Sequence, residues 1–299
     1  MIKYVYQEEQ YGLPKMTPAA NRQFGKVFDT IADDYDRHRP GYPATLIDYA
    51  CEIARLEPGD AVLEIGCGSG QLTAALAARG FHVTALEPGK QLIALAKQNV
   101  SGPGKVDFIT ARFEDARLPT EHYKAVFSAS AFHWLDPDVS WQKTAELLMP
   151  GGALALISYF GLSEAQSAND RALLLAALKK ISPAIAASWP HYYQLSEIIA
   201  GVQRRQENIS EAWAWLGGYD LARDYVRPLF NDAQLAAVPQ MFEQSADELI
   251  ALFSTLSAYS SLTEQQRIEL AQEYRKIYAE LGRPIRSSTA AILLAAQRA

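Results

Sequence analysis

The chain of 299 residues carries a formal net charge of −6 and is 49% hydrophobic, so it can bury a substantial core as one enlarged domain or two folding units. The acidic balance leaves no electrostatic footprint for nucleic acid or an anionic membrane surface. The longest apolar candidate, AAILLAAQ near the C-terminus, falls far short of the roughly 20 residues of a membrane-spanning helix, so neither partner is expected.

Residues 1–22 are polar and tyrosine-rich, with Gly12, Pro14 and Pro18, and are expected to form an N-terminal arm. Phe24, Val27, Phe28 and Ile31 then recur at helical spacing until Pro40 and Pro43 break the pattern, which predicts a helix, a turn and a second helix. From Ala61 the stretches AVLEI, HVTALE, KVDFIT, YKAVFSAS and GALALISY have strand character. GQLTAALAARG, GKQLIALAKQNV and SWQKTAELLMPGG separate them as helices. Such alternation belongs to a parallel sheet with helices on both faces, and assigns residues 23–160 to one α/β domain. Residues 161–282 have a mainly helical pattern, as in DRALLLAALKKI and TEQQRIELAQEYRKIYAEL, and are expected to form a cap. The closing segment 283–299, with SSTAAILLAAQRA, fits either a helix by its alanines or a strand returning to the sheet. Two cysteines, Cys51 and Cys67, and no leader-like run after Met1 point to a reduced, cytoplasmic setting. Together with histidines 38, 82, 122, 133 and 191 they show no metal-ligand spacing, and no metal is expected.

The segment VLEIGCGSGQLTAALAARG concentrates the chemistry. A strand that ends in a glycine-rich turn and enters a helix brings backbone N–H groups and a positive helix end to the C-terminal edge of the sheet, where open α/β folds bind ligands. Glu87 closes the following strand, roughly 20 residues on, where a carboxylate can accept both hydroxyl hydrogens of a ribose. A nucleoside cofactor follows. The dinucleotide fingerprint G-x-G-x-x-G would require glycine at position 71. Gln71 stands there instead, and the glycines are Gly66, Gly68 and Gly70.

This G-x-G-x-G spacing, with Glu64 two positions ahead, resembles the first motif of class I S-adenosylmethionine-dependent methyltransferases, and ALEPGKQLIALAK, FEDARLP and LLMPGGALAL resemble later motifs of that family. The segments FDTIADDYDRHRPGYP and SASAFHWLDP are similar to a small-molecule subgroup of the trans-aconitate type. The resemblance covers most of residues 28–160. It departs from the family where Ala111-Arg112 replaces Gly-Asp and Met149 replaces Lys. It implies a Rossmann-like fold, a mostly parallel seven-stranded sheet with helices on both faces, and S-adenosyl-L-methionine as cofactor with S-adenosyl-L-homocysteine as product. The implied cofactor residues are Glu64, Gly66, Cys67, Gly68 and Gly70 in the loop, Glu87 and Pro88 at the ribose, and Phe113 with Glu114 or Asp115 at the adenine. Tyr35 and Arg39 would lie over the cofactor, since a guanidinium matches a carboxylate bidentately.

The implied reaction is in-line methyl transfer to oxygen, a carboxylate included, or nitrogen of a small molecule. His133, Trp134, Tyr42 and Tyr159 are the candidate acceptor-pocket residues, with His133 as a candidate general base and the Trp134 indole as a wall attractive to a sulfonium. Trp189, Tyr192, Tyr193, Trp213 and Trp215 are candidate cap-lining aromatics, and Arg227 a candidate cation for an acidic acceptor. Two alternatives stand beside this reading: a non-catalytic protein that binds S-adenosylmethionine or S-adenosylhomocysteine, and an NAD-dependent oxidoreductase.

Overall fold

Seven strands form one sheet in the order β3-β2-β1-β4-β5-β7-β6. The strands are β1 (Ala61–Ile65), β2 (His82–Glu87), β3 (Val106–Thr110), β4 (Tyr123–Ala129), β5 (Leu148–Gly161), β6 (Gln234–Gln244) and β7 (Ile285–Gln297). β1 to β5 pair in parallel, and β7 runs antiparallel to both neighbours. The computed structural model describes residues 28–299 apart from 188 and 190. The arm expected over 1–22, with Phe24 and Val27, lies outside the described residues.

The order of strands reverses between β1 and β4, so the loops after these strands diverge and leave a crevice at their C-terminal ends. Apolar runs buried on both faces build the centre: Val62, Leu63 and Ile65 of β1 and Val126 and Phe127 of β4 are all buried. One face is packed by α2 (Ala44–Ile53) and α3 (Gln71–Ala78), through Leu46, Ile47, Leu72 and Leu76. The other is packed by α5 (Pro137–Leu147), α8 (Leu195–Gln203) and α9 (Ile209–Gly217), through Trp141, Ile198 and Trp213. Short α1 (Ala32–His38) and α4 (Lys90–Asn99) flank the crevice.

The C-terminal segment resolves as the strand β7. Its alanine-rich run Ala290–Ala296 is fully buried between β5 and β6, which small side chains permit on both faces at once. The segment 161–282 differs from a purely helical cap in two ways. It contributes β6, an edge strand that tolerates Pro239 and from there on alternates half-buried and exposed positions. It also divides: α8 and α9 cover the sheet, whereas α6 (Ala165–Ile181), α10 (Ala246–Ser254) and α12 (Glu264–Leu281) form a separate cluster around Leu174, Leu178, Leu249, Leu270 and Tyr274. Two short helices, α7 (Pro183–Ala187) and α11 (Ser257–Ser260), complete this unit. Only that second group is a cap. A bidentate pair between Arg283 and the fully buried Asp170 side chain ties α6 to the entry of β7.

Candidate functional site

The turn from β1 into α3 requires its glycines. Gly66, Gly68 and Gly70 have φ of +74°, +55° and +91°, a region that L side chains seldom enter. At Gly66 an added Cβ would stand 2.3 Å from Ala131 Cβ, so the β1 and β4 loops can meet only with glycine there. Gly66 and Gly68 face a cavity, but Cys67 and Gly70 do not. Gly70 lies against α4, where a Cβ would come within 3.0 Å of Ala96 Cα, and Cys67 is buried. Of the five expected loop residues, these two shape the turn from behind.

The two carboxylates separate in the same manner. Glu87, buried at the end of β2, lines the cavity. It accepts the Gly68 N–H at 3.2 Å and the Gly89 N–H at 2.9 Å. Burial pushes its carboxyl up and these two N–H groups oppose the shift. Glu64 sits beneath the loop, away from the cavity, and accepts the Thr73 hydroxyl at 2.5 Å. Burial raises its pKa to about 7. The sequence did not disclose Asp29, whose Oδ1 accepts the Gln91 and Leu92 N–H groups at 2.7 and 3.2 Å and so caps α4 from across the crevice. Its separation of more than sixty residues from those groups hides it from any local capping pattern.

Tyr35 and Arg39 both line the cavity. The Arg39 guanidinium stacks on the Tyr35 ring at 5.2 Å and donates from Nη2 to the Thr255 carbonyl at the end of α10, at 2.9 Å. Its backbone oxygen accepts from Gln71 Nε2 at 3.0 Å. Arg39 Nε is buried with no hydrogen-bond partner, an unmet donor beside the glycine loop. Pro88 is exposed on the cavity rim.

After β3, Phe113 is buried and reaches the cavity with Ala111, Arg112 and Glu114. Glu114 already accepts the Asp136 N–H at 3.0 Å and pairs with Arg112 at 3.1 Å. Asp115 is exposed and outside the cavity, so of the two carboxylates expected at the adenine only Glu114 lines it. Lys143 of α5 fixes this turn, donating to the carbonyls of Phe113, Glu114 and Ala116 at 2.7, 3.2 and 2.7 Å. It had no signal in the sequence.

At the ends of β4 and β5 the cavity meets a hydroxyl cluster. Tyr42 Oη donates to Ser130 Oγ at 3.1 Å, and Ser130 Oγ lies 3.2 Å from Ser158 Oγ. Ser130 has φ of +53°, a strained conformation for a residue with a Cβ. Tyr159 stacks on Tyr42 at 5.8 Å and donates to the Gly41 carbonyl at 2.5 Å. His133 and Trp134 follow in a 3₁₀ turn, Phe132–Trp134. The imidazole stacks flat on Tyr219 at 4.7 Å, and its Nδ1 is buried without a partner. Burial, then the nearby Arg39 charge, lowers its pKa to about 3. His133 is therefore neutral at pH 7 and a poor match to a general base working there.

The cavity, about 1930 Å³, runs unbroken from Gly68 and Glu87 past this cluster to the cap. Trp189 and Tyr192 line it, but Tyr193, Trp213 and Trp215 do not. Trp213 is fully buried against the sheet by α9. Arg227 lies outside the cavity and pairs with Glu207 at 2.6 Å, so it offers no charge to a ligand there. The site suits a nucleoside with an amino-acid tail: a buried carboxylate for vicinal hydroxyls, the Gly68 backbone at the cavity wall, and an unmet guanidinium N–H for a carboxylate.

Residues 63–156 match the family model described as a methyltransferase domain. The chain is 31% identical over 138 residues to an uncharacterized methyltransferase of Mycobacterium tuberculosis, covering 46% of this chain and 54% of the relative. It is 28% identical over 131 residues to a probable S-adenosylmethionine-dependent methyltransferase of Saccharomyces cerevisiae, covering 42% and 44%. The chain thus spans about half the length of these relatives. A structure from Anaeromyxobacter dehalogenans, provisionally named a type II methyltransferase, superposes with a TM-score of 0.56 at 23% identity over 87% of this chain and 97% of that one, a likeness of fold. The cofactor of this domain type is S-adenosylmethionine, which removes the NAD-dependent alternative. Among the described residues no helix is long and apolar enough to cross a membrane and no cluster can hold a metal. The chain carries, over residues 63–156, a methyltransferase domain of the class I S-adenosylmethionine-dependent type.

Proposed function

We propose that this chain transfers a methyl group from S-adenosylmethionine to an oxygen or nitrogen of a small molecule bound under the cap. The observation that carries the reading is the continuity of one cavity from the Gly68–Glu87 pair to the hydroxyl cluster at Ser130. In this reading the Glu87 carboxylate takes the ribose hydroxyls, Phe113 and Glu114 frame the adenine, and Arg39 Nε meets the cofactor carboxylate. Bound S-adenosylmethionine supplies an electrophilic methyl on a sulfonium and leaves as S-adenosylhomocysteine. The protein's part is then to align the acceptor atom and exclude water, effects worth roughly 7 to 11 kcal/mol in well-arranged systems. Tyr42, Ser130 and Ser158 orient the acceptor and give a departing proton a hydrogen-bonded path. Neutral His133 acts as a hydrogen-bonding wall of the site, with Trp134 beside it at 4.7 Å.

Calorimetric titration with S-adenosylmethionine, S-adenosylhomocysteine and NAD tests the reading. Micromolar binding of the first two and none of NAD is expected, and Glu87→Ala should weaken both about 10- to 100-fold, the range for a hydrogen bond to a charged group. Unchanged affinity in that variant would remove Glu87 from the ribose site.

A further inference from the structure

The cap helix α6 packs on β7, where the Ser167 and Ser288 hydroxyls lie 2.7 Å apart, and beside that contact the cavity opens between the cap cluster and the sheet. The arm of the cavity that enters the cap is lined by Leu174, Leu178, Leu249, Leu252, Phe253 and Leu256. Trp189 stacks on Phe253 at 5.5 Å and Phe253 meets Tyr274 edge-on, which makes one wall aromatic. At about 1930 Å³ the whole cavity is about twice the upper end of the range usual for small-molecule sites. A nucleoside cofactor at the Glu87 end leaves the cap arm as a second compartment.

The two guanidinium groups that border this arm are already engaged, Arg171 by neutral acceptors and Arg286 by a carboxylate. Arg171 lies over the Tyr192 ring at 5.1 Å and donates to the Leu162 carbonyl and the Ser163 hydroxyl. Arg286 is paired with Glu243 at 2.9 Å. The polar atoms left without partners on the arm's floor are uncharged: Thr289 Oγ1 and Gln244 Oε1, both buried. A di- or tricarboxylate acceptor would meet at most the Arg171 guanidinium, whose donors are already committed to neutral acceptors, and would leave its remaining carboxylates unpaired among the leucines of the arm, at a large desolvation cost.

We propose that the acceptor is an uncharged, mainly apolar molecule, of the class of an alkyl-substituted phenol or alcohol, whose hydrocarbon body fills the cap arm and whose hydroxyl reaches the Tyr42–Ser130–Ser158 cluster. The inference rests on the methyltransferase reading above and narrows its substrate class away from the acidic acceptors that the sequence resemblance implies. Thr289 and Gln244 then serve a further neutral hydrogen-bonding group on the acceptor.

The test is calorimetry of a 4-alkylphenol series, methyl to octyl, against the full chain saturated with S-adenosylhomocysteine, with trans-aconitate as the acidic comparison. Affinity should rise about fourfold per added methylene until the arm is filled, and trans-aconitate should not compete. Leu252→Glu should flatten the series, and Leu252→Trp should end the rise at a shorter chain, with S-adenosylhomocysteine affinity unchanged in both. A flat series in the native chain, or tighter binding of trans-aconitate, with S-adenosylhomocysteine still bound, overturns this inference alone. Failure of S-adenosylhomocysteine to bind overturns the methyltransferase reading and this one with it.

Discussion

Glu64 and Glu87 stand on the neighbouring strands β1 and β2 and face opposite chemical demands. Glu87 keeps its carboxylate at the cavity and is held there by two backbone N–H groups. Glu64 is 1% exposed with one hydroxyl partner, and its pKa of about 7 makes it a titrating group within the working range of most proteins. Its folded pKa lies above the unfolded one, so its stability contribution is complete below about pH 4.5 and declines as pH rises through 7. The decline amounts to about 3 kcal/mol at most. Glu64→Gln keeps an acceptor for the Thr73 hydroxyl and has no proton to lose. Relative to the native chain, its Tm should therefore increase steadily between pH 5 and pH 8, while the raised Glu87 carboxyl, common to both proteins, cancels. A Tm difference that stays constant with pH would show that Glu64 is not the group that titrates. At His133 the sign is reversed. With its folded pKa depressed to about 3, the ring's contribution is present above pH 6.5 and lost as pH falls through 3. Its imidazole NMR signals should hold still between pH 5 and pH 8, and a midpoint near 6.5 would return it to the role of general base.

Elements differ in how openly their sequences announce them. The G-x-G-x-G turn, the strand ending at Glu87 and the five parallel strands were legible because each is local: an apolar run, a turn, an amphipathic helix. β7 was ambiguous because burial on both faces removes the alternation that marks a strand, leaving an alanine-rich run that fits a helix equally well. β6 was missed because an edge strand with Pro239 and scattered glutamines lacks the usual enrichment in branched residues. Long-range caps were invisible for a stronger reason. Gly89, at the N-cap of α4, has no capping side chain of its own, and Asp29 supplies one from the N-terminal region. Removing it in Asp29→Ala should destabilise the protein by about 1 kcal/mol, read as a lower urea midpoint with an unchanged slope. It should also weaken S-adenosylhomocysteine binding, because α4 begins three residues beyond Glu87 and a frayed first turn releases the Gly89 N–H that holds the carboxylate. Loss of stability with no change in affinity would confine Asp29 to a capping role.

Across the whole molecule Arg39 links the cap to the α/β domain at the cavity mouth through three attachments. Arg39 meets Tyr35 through its ring face, Gln71 through the backbone oxygen and Thr255 through Nη2. Gln71 opens α3 directly after the glycine turn and Thr255 closes α10, so Arg39 spans from the cofactor loop to the cap wall. Its unpartnered Nε leaves one donor for a ligand carboxylate while Nη2 holds the cap. A bound cofactor that engages this donor would restrain the guanidinium and with it α10. In hydrogen exchange, S-adenosylhomocysteine should therefore protect residues 246–255 as well as the glycine loop. Arg39→Ala should speed exchange of α10 about tenfold, the loss of one charge-assisted hydrogen bond, and should abolish the ligand's effect there while leaving the strands β1 and β4 unchanged. Arg39→Lys, with one compact donor in place of a fork, should restore the link to Thr255 or the ligand contact but not both. If α10 exchanges at the native rate in Arg39→Ala, the two halves are joined by the packing of α6 and β7 alone, and the cap does not sense the cofactor.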